Sequence, residues 1–250
     1  MRRPAMLACL LLLTAACGGG GTGDLNTVAA AIRTVEDKGA DFSLTLTETE
    51  TGADIPKGKF AEQIYTSAGV FRDDNAALVL GTKDPASGRT TSDFDIIVND
   101  SNVFVRPHGV ARDWFTTYTF AAEEFIPGVR LNLVRESVLL ASRVSKSTSF
   151  SGGSFVNQYV VTPADEQLKQ LMGFGSSGTI TASIATDGGL LQSLAFYFSG
   201  VDSASQRHIT VDSTLTISHL GKAAAPQIPT AAVNVQPADL FSTSTTTPSS

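Results

Sequence analysis

Three histidines, His108, His208 and His219, are the imidazoles from which a general base would be drawn. They have no regular ligand spacing, and so form no metal-binding pattern. His108 lies beside Gly109 in a loop near Trp114, with no carboxylate partner evident from the neighbouring residues. Asp93 and Asp95 fall on one face of a strand, where they would bind a cation or act as an acid/base pair. On the wet face of an amphipathic strand they read instead as exposed aspartates, and Glu123 and Glu124 read the same way. Gly173 to Gly178 fits G-x-G-x-x-G, but it follows a helix and opens a strand, the reverse of a dinucleotide fingerprint. There is no G-x-S-x-G, P-loop or H-E-x-x-H. A hydrolase would need a Ser or Asp set against one of the histidines in a cleft. No catalytic constellation with assignable roles is present, so the expectation is a non-enzyme with no cofactor and no metal.

The residue with the clearest chemistry is Cys17. Met1-Arg2-Arg3 is basic, Ala5 to Leu13 is apolar apart from Cys9, and Leu13-Thr14-Ala15-Ala16 brings small residues up to the cysteine. These are the parts of a secretory signal, and the apolar run is too short for a spanning helix, which needs about 20 residues. The stretch resembles a bacterial lipobox, cut before a cysteine whose sulfur carries diacylglycerol. Thr14 stands where the usual Leu would be, with Leu13 one place earlier. The expected layout is a signal peptide over 1–16 and a lipidated Cys17 with a Gly-rich tether over 17–23. A tether of that length spans roughly 15 Å. Two acyl chains hold a protein at a bilayer firmly where one does so marginally. The expected location is the cell membrane, lipid-anchored on the extracytoplasmic side. The sequon Asn99-Asp100-Ser101 is set aside, because a lipobox implies a bacterial cell.

Removal of residues 1–16 takes Arg2 and Arg3, so Lys+Arg falls from 18 to 16 against 24 Asp+Glu and the formal charge goes from −6 to −8. Such an acidic chain has no electrostatic footprint for nucleic acid. Cys17 would be the one remaining cysteine, which excludes a disulfide framework and a cysteine metal site. A monomer is expected.

The elements that must position any site are mostly strands. Residues 24–39 read as a helix, with Leu25, Val28, Ala29, Ile32 and Val35 on one face, Asp24 as N-cap and Gly39 as the stop. Residues 41–106 read as about half a dozen antiparallel strands in a meander, beginning with the alternation Phe42-Ser43-Leu44-Thr45-Leu46-Thr47. Residues 107–129 break that pattern and hold an aromatic cluster: Trp114, Phe115, Tyr118, Phe120 and Phe125. A second helix is predicted over 129–144, with Leu131, Val134 and Val138 on one face, followed by a polar connection over 147–154. Then come a strand from Phe155, a short helix after Pro163, and strands over 179–185, 190–198 and 209–217. Residues 24–236 form the expected domain, and 237–250 a disordered Ser/Thr/Pro tail.

The apolar strand faces pose the central question. Leu44, Leu46, Phe94, Ile96 and Phe104 in the first block, and Phe155, Tyr159, Phe196 and Phe198 in the second, would fill a core or line a cavity equally well. Alternation alone does not separate the two.

In its order of elements the chain resembles the LppX/LprG family of actinobacterial lipoproteins, in the LolA/LolB-like superfamily. The resemblance rests on Cys17, the helix Leu25 to Val35 and Asn102-Val103-Phe104-Val105 followed by Trp114. It rests further on the helix Leu131 to Ala141, Val156-Asn157-Gln158-Tyr159-Val160-Val161, the paired strands after it, and Pro226 and Pro229 behind the last strand. It covers residues 24–236, and departs in the crowded aromatic segment and the tail. The family implies an α+β, mainly β fold: a strongly curved antiparallel sheet, an unclosed half-barrel, covered by helices. It implies an apolar cavity for acyl chains, with an acyl lipid or glycolipid as cargo carried in the cell envelope, and a membrane exporter as partner of some members. On this reading the strand residues above and the Leu131, Val134 and Val138 face line the cavity, with Trp114, Phe115 and Tyr118 at its mouth. The competing reading is an envelope sensor or protein-binding module on the same fold, with a filled core.

Overall fold

A computed structural model describes residues 21–52, 54–55, 60–73, 75–99, 102–110, 113–118, 127–151, 153–172, 177–202, 204–236 and 239. The signal segment, Cys17, Phe120, Glu123, Glu124, Phe125, Ile126, residues 173–176 of the glycine motif and all of the tail except 239 lie outside them.

The helix α1 (Thr22–Lys38) leads into five strands in succession: β1 (Ala40–Thr51), β2 (Ala61–Arg72), β3 (Asn75–Lys83), β4 (Thr90–Asn99) and β5 (Asn102–Pro107). Then come β6 (Trp114–Tyr118), α2 (Pro127–Leu139), β7 (Arg143–Ser151), β8 (Ser154–Thr162) and α3 (Asp165–Met172). The chain continues with β9 (Ser177–Ala185), β10 (Leu191–Val201), β11 (His208–Ser218) and β12 (Ala232–Asn234). All twelve strands join one sheet in the order β12-β6-β5-β4-β3-β2-β1-β11-β10-β9-β8-β7. Every pairing is antiparallel except that of β12 with β6. This is the expected mainly β, curved and unclosed sheet with helices on one face.

Its topology is two meanders, β1 to β6 and β7 to β11, joined where β1 pairs β11 from Asp41↔Ser218 to Thr51↔His208. The chain leaves the first meander at one side of the sheet and enters the second at the opposite edge. The connection therefore runs the width of the sheet, and α2 lies in it. It packs on α1 and touches β2, while α1 packs on β7, β8, β9 and β10.

Local chemistry explains most boundaries. Gly39 ends α1 at φ 67°, donating its N–H to Val35 O at 3.0 Å. A side chain there would meet Phe71 O at 2.5 Å, so two reasons demand glycine. Asp24 falls inside the first turn of α1 and not at its N-cap, which is Gly21. There it meets the positive end of the dipole, and the helix begins two residues earlier than predicted. Gly69 bends β2 tightly against β3: a Cβ would stand 2.6 Å from Leu78 Cα. The residues on both sides of it belong to one continuous strand.

Two segments differ from the sequence reading more widely. The second helix stops at Leu139, and Val144 belongs to β7. The expected polar connection is largely β7 itself, whose Ser, Thr and Lys residues suit an edge strand with one side wet. Trp114 to Tyr118 is likewise a strand, protected on its free edge by β12.

Candidate functional site

The inner face follows from the ladders. Ala40, Phe71, Ala76, Val98 and Val103 close one end of it and are sealed from solvent. Phe42 and Phe71 pack there with ring centroids 6.0 Å apart. Under α1 the second meander is also filled: Tyr159, Ile180, Ala182, Ile184, Leu191 and Leu194 are all buried.

The middle of the first meander differs. Phe94, Leu80 and Leu44 stand on neighbouring strands, aligned through Phe94↔Leu80, Leu80↔Ser67 and Ser67↔Leu44. The next step along the sheet aligns Thr82, Tyr65, Leu46, Ser213 and Phe196. Leu44, Leu46, Leu80, Phe94, Phe115 and Phe196 pack on the core yet stay partly exposed. Beyond them the inner face turns polar, with Glu48 opposite Gln63 and Glu50 opposite Ala61.

At this polar end the Tyr65 hydroxyl donates to Gln63 Oε1. Burial pushes the Glu48 carboxyl above its usual range, and Glu50 adds to the shift by hydrogen bond and charge. Burial also raises the Tyr65 hydroxyl, helped by the charges of Glu48 and Glu50. Arg207 is engaged by Glu50 and by Asp54. Apolar side chains, then a hydroxyl band, then carboxylates make this half of the inner face amphiphilic.

The sequence-derived lining residues divide into four groups. Leu44, Leu46, Phe94, Phe115 and Phe196 stand on the partly uncovered face. Ile96, Leu131, Val134, Val138, Tyr159 and Phe198 are buried in the packed core. Phe104 and Trp114 stand on the outer face: Val103 and Val105 face inward against Val98 and Ile96, which turns Phe104 outward. Phe115, opposite Val105, does the same to Trp114. Tyr118 shares that outer side and is exposed. Phe155 is 59% exposed at the tip of the β7–β8 hairpin, edge-on to Phe150 at 5.2 Å. Sequence reasoning passed over Leu80, Tyr65, Ser67 and Ser213. Their signal was period-two position on the strands that carry Leu44 and Phe94.

The chemistry-bearing residues do not assemble into one site. The register puts Asp95 opposite Arg106, which donates through Nε at 2.8 Å. Asp95 also meets His108 Nδ1 at 2.5 Å, and its side chain is only 18% exposed. The expected free aspartate is thus an ion-pair centre, and His108 has the carboxylate partner that its neighbours in sequence did not reveal. Arg106 lies 4.4 Å from the Trp114 ring centre. His219 pairs with Asp41, and His208 with Ser199 at 3.1 Å. Each histidine has a different partner. Among the described residues no hydroxyl or thiol bonds to His108, and no group of three His, Cys, Asp or Glu is placed to hold a metal. Gly178, from the glycine motif, has a packing role: Phe198 covers it so closely that a Cβ would lie 2.3 Å from the ring.

The fold matches that of a solved structure, LprF from Mycobacterium bovis. The superposition gives a TM-score of 0.50 at 14% identity, over 85% of this chain and 98% of that one. The chain has the fold of LprF. Other structures align less well, among them a DUF1329 family protein from Desulfovibrio piger, with a TM-score of 0.28 at 11% identity over 79% and 93% of the two chains. A DUF1849 domain from Brucella abortus gives 0.26 at 8%, over 71% and 98%. No family model and no curated protein matches the sequence. As in the reading from sequence, the LprF fold here is a curved sheet left open, with helices on its concave side. Among the described residues no helix is long and apolar enough to cross a membrane.

Proposed function

We propose that this chain is a lipoprotein of the LppX/LprG kind, anchored through Cys17, that takes up an acyl lipid or glycolipid and carries it in the cell envelope. The observation that carries the reading is the unequal covering of the inner face. Under α1 it is sealed, while Leu44, Leu46, Leu80, Phe94 and Phe196 form an apolar surface, crossed by Ser67 and Ser213, that the described residues leave partly open. The fold shared with LprF and the lipobox-like approach to Cys17 support the same reading.

The energetics suit a carrier. A diacyl lipid has about 30 methylenes, each worth roughly 0.8 kcal/mol against water. Transfer from bilayer to an apolar surface changes that sum little, so exchange is near neutral and needs no covalent step. A short tether would keep the open face at the bilayer.

The test uses the full-length chain purified from membranes in detergent. Organic extraction followed by mass spectrometry is expected to release a stoichiometric acyl lipid, and the stripped protein to take up a fluorescent acyl probe. No lipid and no uptake would overturn the proposal. Labelling with radioactive palmitate is expected for the natural chain and lost in Cys17→Ser.

A further inference from the structure

Two hydroxyls sit where an apolar floor would be expected. Ser67 lies between Leu80 and Leu44, and Ser213 between Leu46 and Phe196. The residues are only 9% and 6% exposed. Among the described residues neither hydroxyl has a hydrogen-bond partner. Yet neither oxygen is sealed off: Thr116 Oγ1 is the unpaired side-chain atom among the described residues that has lost all contact with open space. A buried hydroxyl without a partner gives up the hydrogen bond it would make to water. Both therefore point from the floor into the uncovered half-face with hydrogen-bonding capacity unused.

Tyr65 and Glu48 extend this polar line toward the rim. Tyr65 flanks Leu46 on the side opposite Ser213, and Glu48 is the next inward residue of β1 after Leu46. The charges on this stretch are Glu48 and Glu50. Among the described residues the nearby cation, Arg207, is held by Glu50 and Asp54, and Lys146 lies beyond the filled half at 5.3 Å from the Tyr159 ring centre.

We infer that Ser67, Ser213, Tyr65 and Glu48 form a subsite for the polar head and ester junction of the bound lipid, and that it takes an uncharged, hydroxyl-bearing head over an anionic phosphate head. The inference rests on the lipid-binding reading above. Serine hydroxyls donate to ester carbonyls, and the Glu48 carboxylate and the Tyr65 oxygen accept from head-group hydroxyls. Among the described residues, a phosphate would enter beside two carboxylates with no free guanidinium to pair it.

The probes are a fluorescent monoglucosyl diacylglycerol and a fluorescent phosphatidylglycerol with the same acyl chains, each offered in phosphatidylcholine vesicles to the full-length chain. Uptake of the glucosyl lipid is expected to exceed that of phosphatidylglycerol about tenfold, the order that carboxylate–phosphate repulsion gives at a half-exposed site. Glu48→Lys is expected to remove or reverse the preference, and Glu48→Gln, which keeps the shape, to narrow it. Ser213→Ala is expected to weaken uptake of the glucosyl lipid several-fold while leaving uptake of a fluorescent alkane unchanged. Equal uptake of both lipids, or a preference untouched by these variants, overturns the inference and leaves the carrier reading standing. Uptake of neither lipid overturns both.

Discussion

Arg135 on α2 reaches Glu36 on α1, Nε to Oε2 at 3.0 Å, with side chains 24% and 16% exposed. The pair ties the helix that bridges the two edges of the sheet to the helix that fills its second half. Burial raises the Glu36 carboxyl above its usual range, and Arg135 opposes the shift by charge and hydrogen bond. Removing the guanidinium leaves a half-buried carboxylate alone. Arg135→Ala is expected to lower unfolding stability by about 2 kcal/mol. Denaturant unfolding at neutral pH measures it, and a double-mutant cycle with Glu36→Gln isolates the pair.

The two halves of the inner face should respond differently to truncation. Leu194 is fully buried under α1, so Leu194→Ala is expected to lose about 3–4 kcal/mol through lost transfer energy and an unfilled void. Leu46 borders the uncovered face, and Leu46→Ala is expected to lose about 1 kcal/mol or less. Equal losses would mean that the first meander is as tightly filled as the second.

Glu48 gives the chain a pH dependence of known sign. Its carboxyl is raised in the folded protein, first by burial and then by Glu50. The neutral form is thus the one that folding favours. The associated stability is whole below the ordinary carboxylate value and is lost as pH rises through the raised one. Glu48→Gln, permanently neutral, is expected to melt above the natural protein at pH 7 and level with it below pH ~4, near the ordinary carboxylate value. Calorimetry at the two pH values checks this.

The outer-face pair makes the opposite kind of prediction. The hydrogen bond donated to Asp95 raises the exposed His108 imidazole above its ordinary value. The contribution of the pair is present in full below the ordinary imidazole range and fades as pH rises through the raised one. In an NMR titration His108 is expected to have a higher midpoint than in Asp95→Asn, where it returns toward about 6.5.

Strand periodicity carried much of this architecture in the sequence. The alternation Phe42-Ser43-Leu44-Thr45-Leu46-Thr47 announced its strand, and the strand is found. Alternation states that neighbours face opposite ways. It does not state which way is inward, and where both faces carry bulky groups the choice is undetermined. Val103-Phe104-Val105 and Trp114-Phe115 are such cases. The first took its orientation from pairing with Ile96 and Val98, and the second from pairing Phe115 with Val105, partners that only the strand register brings alongside. The edge strand β7 carried little signal because a wet edge needs few apolar residues.

What the amino-acid order determined by itself was local: where helices cap, where strands alternate, and that Cys17 follows small residues after an apolar run. Those features depend on interactions within a few residues. The tertiary structure decided what depends on partners far along the chain. Asp95 and His108 meet because two strands pair, and Glu36 meets Arg135 because a helix must cross the sheet. Ser67 and Ser213 flank one strip of β1 because distant strands lie on either side of it. Whether an inner face is filled or left open is a property of what is folded onto it, and no stretch of strand encodes that alone.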